Sequence, residues 1–193
     1  MWNIISRIFK DLLTLLYQYT GISVICSVLF LIVWKKAEDS SWREVGRGLL
    51  TQFKEQIWIR RFIAILYAVF VLQRTIFNRS PWGEPLGNIV GPWGFVIDGV
   101  PNYEMFENIL LFIPLLPIVK ISGIDRKIKH FNTLGITSVV VIPFETSLAI
   151  EIMQLMTRVG TFQLSDIAYN TLGGFIGGLI YWIGYKINHR KKR

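Results

Sequence analysis

Glu151, Gln154 and Arg158 stand three and four residues apart, so on a helix they share one face. Asp166, Asn170, Gly173 and Gly177 repeat that spacing a few residues later. Both sets lie in or at the ends of strongly apolar segments, where hydrocarbon rejects an unpartnered carboxylate or guanidinium. Side chains kept there mark a functional site by default. Their chemistry is that of binding: arginines meet phosphate or carboxylate groups, and amides supply neutral hydrogen bonds. The means for catalysis are poor. His130 and His189 fall at the far ends of their spans from this cluster, so it has no Ser–His or Cys–His pair. No Gly-x-Ser-x-Gly, His-Glu-x-x-His or phosphate loop occurs. A metal would find only carboxylate oxygens, from Glu107, Glu151 and Asp166, at no demanding spacing. A carboxylate acting as general base on a lipid-linked substrate is the enzymatic alternative. The expectation is a binding site with no cofactor, no metal and no catalysis.

The elements that must hold these residues are apolar. The chain has 193 residues, 52% of them hydrophobic, and a mean hydropathy of +0.43. That composition predicts an all-α, polytopic membrane bundle, with room for about five spans of ~20 residues in a single membrane domain, 1–193. The spans are expected at 15–34, 57–77, 105–121, 133–157 and 165–187. Residues 1–14 form either an interfacial helix or the first turns of span one. In the connector 41–56, Ser41-x-x-Glu44 reads as a capping box, and Trp42, Val45, Leu49 and Phe53 recur at helical spacing. A short amphipathic helix on the membrane surface is expected there. Pro114, Pro117 and Pro143 should kink their spans. Residues 78–103 alternate proline and glycine with Trp82, Trp93 and Phe95, and no helical or strand period survives. This long loop either covers the site or is a passive connector along the membrane. Cys26, the single cysteine, excludes an intramolecular disulfide.

Net charge is +8, and the basic residues cluster beside apolar runs. Lipid headgroups and topology account for that placement; nucleic acid does not. Counted loop by loop, lysine and arginine alternate between poor and rich. The 35–61 connector, the turn with Arg126, Lys127 and Lys129, and the tail 188–193 are rich. The Gly/Pro loop has only Arg79, and the connection between spans four and five has only Arg158. The rich side should be cytoplasmic, with the N-terminus outside and the C-terminus inside. On that orientation Arg74, Glu104, Glu107, Asn108, Glu151, Gln154, Arg158, Asp166 and Asn170 all approach the outer leaflet. They would form a polar pocket open to the exterior; the alternative is interhelical glue. Glu145 points elsewhere on span four and must be neutral, paired or hydrated. Gly173-xxx-Gly177 and Gly174-xxx-Gly178 permit close helix packing, against span four or in an oligomer.

Glu107-Asn-Ile-Leu-Leu-Phe-Ile-Pro114, Ile150-Glu-Ile-Met-Gln154, Arg158, and Asp166-Ile-x-x-Asn170-Thr-x-Gly173 resemble the signature of the VanZ-like family of small bacterial integral membrane proteins. The likeness covers the core, about 57–187. It implies that Asn108, Glu151, Gln154, Arg158, Asp166 and Asn170 are the family's characteristic polar positions. A further acidic position of the family pattern is Gln163 here. The family takes its name from a member linked to resistance to the glycopeptide teicoplanin. The resemblance implies a plasma-membrane protein of the cell envelope. Its partners would be membrane lipids and, at the outer leaflet, a lipid-linked wall precursor or a lipoglycopeptide.

Overall fold

The computed structural model describes residues 2–38, 41–43, 45, 55–77, 79–123 and 136–190. Helix α1 (Trp2–Glu38) is unbroken, so residues 2–14 are its opening turns and not a separate interfacial helix. The amphipathic helix expected at 41–56 falls largely outside the described residues. Helix α2 (Gln56–Leu72) runs directly into a π-helical turn, Gln73–Phe77. Helices α1 and α2 are antiparallel: Tyr19 packs edge-on to Phe70 at 6.0 Å, and Arg61 lies 5.8 Å over the Trp34 ring at the other end.

Span three is two helices, α3 (Tyr103–Phe112) and α4 (Leu115–Ser122). The break falls at Pro114, which has no N–H for the ladder. Pro117 lies in the first turn of α4, where no ladder donor is lost, so it causes no second break. The Tyr67 hydroxyl donates to the Leu111 carbonyl at the break, at 2.7 Å. Helix α5 (Ile136–Thr157) continues through Pro143, and α6 (Leu164–Arg190) follows a short connection. Among the described residues, four segments are long and apolar enough to cross a membrane: Leu16–Lys36, Gln56–Phe77, Tyr103–Ser122 and Ser138–Thr157. Helix α6 has the length of a span, roughly 40 Å. Its glycines and Asn170 lower its hydropathy, because it packs chiefly on α5 and α3 and needs less apolar surface.

The bundle is apolar outside and partly polar inside. Ile22, Ile25, Leu29 and Val33 of α1 are exposed, while Ser23 and Ser27 are fully buried. Small polar residues let helices approach closely where lipid leaves no hydrophobic gain from association. Glu145 turns out of the bundle and is exposed. The apolar core gathers Val71, Phe112, Leu115 and Ile150 under Tyr67 and Met153.

The Gly/Pro loop is ordered against its neighbours. Trp82 N–H donates to Arg158 O at 2.9 Å, Phe162 N–H to Pro85 O at 2.9 Å and Leu164 N–H to Ile89 O at 2.8 Å. The loop also holds a strand pair that the sequence reading did not expect, β1 (Val96–Ile97) against β2 (Val100–Pro101). Asp98 and Gly99, both at positive φ, turn the chain between them. Asn102 closes the loop: its side chain caps α3 at Met105 N–H, 3.2 Å, and donates to Gly94 O at 3.1 Å.

The glycine pairs of α6 serve two neighbours. A side chain at Gly173 would strike the Ile109 carbonyl, and one at Gly177 the Ile113 carbonyl, both on α3 and its end. A side chain at Gly174 would strike Pro143, and one at Gly178 would meet Val139, both on α5. The chain's own helices therefore occupy the surface that an oligomer contact through these glycines would use. Gly177→Ala should lower the thermal unfolding midpoint in detergent by several degrees, matching an overpacking cost of about 1–3 kcal/mol. Gly184→Ala, with nothing within 4 Å of the added carbon, should leave it unchanged or slightly raised.

Candidate functional site

The π turn at the end of α2 is where the polar residues begin to meet. A π turn shifts the backbone ladder, so its carbonyls need other donors. Gln154 of α5, fully buried, donates from Nε2 to Thr75 O at 2.7 Å. Arg74 in the same turn pairs with Glu107 of α3, Nη2 to Oε2, at 2.6 Å. One residue on, Asn108 donates from Nδ2 to Asp166 Oδ1 of α6 at 2.8 Å. One turn deeper, Asn170 donates to Ser147 Oγ of α5 at 2.8 Å. These four links form a closed ring, α2 to α3 to α6 to α5 and back to α2.

Glu151 hangs inside this ring. It is 1% exposed, and its Oε2 accepts from the Gln163 N–H at 2.8 Å. Gln163 thus contributes its backbone donor to the carboxylate, whatever its side chain. Asp166 stands in the first turn of α6, where the helix dipole favours a negative charge.

Arg79 is the residue that the sequence reading left out of the site. It lies within Coulombic reach of both Glu151 and Asp166. It lies beside the connection after α5, where a side-chain carbon added at Gly160, at φ 71°, would come within 3.3 Å of its guanidinium. Its Nε is buried without a hydrogen-bond partner. A signal was present: Arg79 is the single basic residue of a long loop on the basic-poor side.

Of the expected residues, Arg74, Glu107, Asn108, Glu151, Gln154, Asp166 and Asn170 come together at this end of the bundle. Arg158 does not. Helix α5 ends at Thr157, and Arg158 takes a left-handed φ of 54° with its side chain exposed. Its backbone carbonyl receives Trp82 N–H; its guanidinium leaves the face shared by Glu151 and Gln154.

A cavity of about 370 Å³ opens beside the ring, within the ~300–1,000 Å³ of small-molecule pockets. Its walls are mostly apolar residues of α1, α2, α3 and α4, with Thr20 and Ser23 on the α1 side. Its polar end is Arg74, Thr75, Arg79, Glu107 and Asn108. Glu151, Gln154, Asp166 and Asn170 lie outside its lining, behind the first rank of polar groups. Among the described residues no group of acidic, histidine or cysteine side chains is placed to hold a metal ion.

A family model described as VanZ/LLP1 matches residues 22–185. Protein VanZ of Enterococcus faecium is 28% identical over 89 residues, covering 46% of this chain and 50% of that protein. The chain thus matches about half the length of this curated relative. No solved structure matches.

Gln154→Leu would strand the Thr75 carbonyl in a buried site and should cost about 1–3 kcal/mol of stability. Arg158→Ala, at an exposed position, should stay within about 0.5 kcal/mol of the parent. Thermal or denaturant unfolding of the two purified variants, side by side, checks the contrast.

Proposed function

The chain belongs to the VanZ/LLP1 family, and from that premise we propose that it is a non-enzymatic, multi-pass protein of the bacterial plasma membrane. It acts at the outer leaflet, on glycopeptide susceptibility of the teicoplanin type or on a lipid of the cell envelope. The observation that carries this reading is the cavity, apolar along its length and closed at one end by Arg74, Arg79, Glu107 and Asn108. That shape suits an amphiphile. What supports the orientation is charge: the loops beside this end are poor in lysine and arginine, as exterior loops are, and the basic tail suits the cytoplasm. The Trp82- and Trp93-bearing loop then lies at the outer interface, where indole rings favour the headgroup level.

The alternative is a membrane-embedded hydrolase or transferase working through Glu151 and Asp166. Both carboxylates are already engaged, by Gln163 N–H and by the Asn108 amide, and neither lines the cavity. The geometry favours binding over chemistry.

Cells carrying the gene should tolerate more teicoplanin than cells with an empty vector. Arg74→Ala at equal protein level should lose most of that difference, and Arg158→Ala should keep it. Equal tolerance in gene-bearing and empty-vector cells would remove the glycopeptide role. For orientation, Gly87→Cys in a Cys26→Ser background should react with a membrane-impermeant maleimide added to intact cells. Labelling only after the cells are opened would reverse the assignment.

A further inference from the structure

The cavity has a direction, a length and a charge, and together they narrow its occupant. It follows α2 from Ile63 to Arg74, roughly 16 Å at the helical rise, against about 15 Å for the hydrocarbon of one leaflet. Leu16 and Thr20 of α1, Ile63 of α2 and Leu110 of α3 all line it and are themselves exposed. It therefore opens sideways, through the flank of the bundle, at the depth of lipid tails. Three charged side chains line its polar end. Arg74 is matched by Glu107 at 2.6 Å, and Arg79 shares its charge with Glu151 and Asp166 behind the lining; within the lining itself two guanidiniums stand against one carboxylate. Thr20 puts a hydroxyl on the α1 wall, and Ser23 beside it is fully buried.

The geometry points to one acyl chain of a monoanionic glycerophospholipid, entering sideways from the outer leaflet with its phosphate against Arg79 and Arg74. The chain fills the apolar run, and the phosphate meets the two guanidiniums of the lining with charge-assisted hydrogen bonds. A polyisoprenoid longer than one leaflet would overrun the walls. This inference rests on the orientation and binding role proposed above and assigns the ligand class to that site.

The test is photolabelling of the purified protein in lipid nanodiscs with a diazirine-bearing phosphatidylglycerol. Labelled peptides should fall on the cavity walls of α1, α2 and α3. Unlabelled phosphatidylglycerol should compete several-fold better than phosphatidylcholine. Thr20→Phe, at an exposed position of the cavity wall, should reduce wall labelling several-fold while labelling elsewhere on the bundle persists. Labels spread evenly around the bundle, or equal competition by the two lipids, would overturn the assignment without any variant having to fold. Displacement by teicoplanin but not by phosphatidylglycerol would also overturn it, while leaving the proposed function standing. Conversely, a Thr20→Phe protein that loses the wall label yet keeps wild-type teicoplanin tolerance confirms the lipid site and separates it from that function.

Discussion

Hydrocarbon offers no hydrogen bonds, and the whole arrangement answers to that one fact. Every amide, carboxylate and guanidinium drawn into the bundle must find its partner on a neighbouring helix or at the water boundary. Here most of them find it on a neighbour. Arg74, Asn108, Gln154 and Asn170 each reach across to a different element, and the four links close on themselves. A closed ring is stiffer than the same number of links in a line, since no helix can move without breaking two of them. The π turn at Gln73–Phe77 is part of this bargain: its irregular backbone leaves a carbonyl for Gln154 to use.

The ring also divides the polar residues by task. Gln154, Asn170, Glu151 and Asp166 face inward and position their neighbours. Arg74, Arg79, Glu107 and Asn108 face the cavity, and any ligand there meets them first. A site organised in this way can present charge to a ligand while most of the supporting groups stay dry. Helix α1 stands outside the ring yet supplies one cavity wall; it packs along α2 and only lightly on α3, which makes the gap between α1 and α3 the natural place for something to enter.

Much of this was legible in the sequence because helical spacing is a geometric rule. Glu151 and Gln154, or Asp166, Gly173 and Gly177, had to share faces once their segments were helical. What periodicity could not supply was where a helix stops. Arg158 continues the spacing of Glu151 and Gln154 by one more turn, but the chain turns left-handed at that residue and the face ends before it. Nor could it supply contacts made by a loop. Arg79 reaches the carboxylates only because Ser80–Val90 lies along the connection after α5, a pairing between segments some eighty residues apart. The Asp98-Gly99 dipeptide between Val96-Ile97 and Val100 did carry a hairpin signal, masked by the surrounding prolines and glycines. Of the three prolines, only Pro114 breaks its helix, because Pro117 falls where a helix begins anyway and Pro143 is wedged against Gly174.

The glycine contacts act as a ruler. Gly173 and Gly177 seat α6 on the carbonyls of Ile109 and Ile113, and the same two helices carry Asp166 and Asn108 at their upper ends. Adding or deleting one residue between Asp166 and Gly173 would turn the carboxylate about 100° away from its amide while the lower contacts held. Length should therefore be frozen along this stretch over evolutionary time. The Asp98-Gly99 turn of the Gly/Pro loop, bound by no such register, is free to drift.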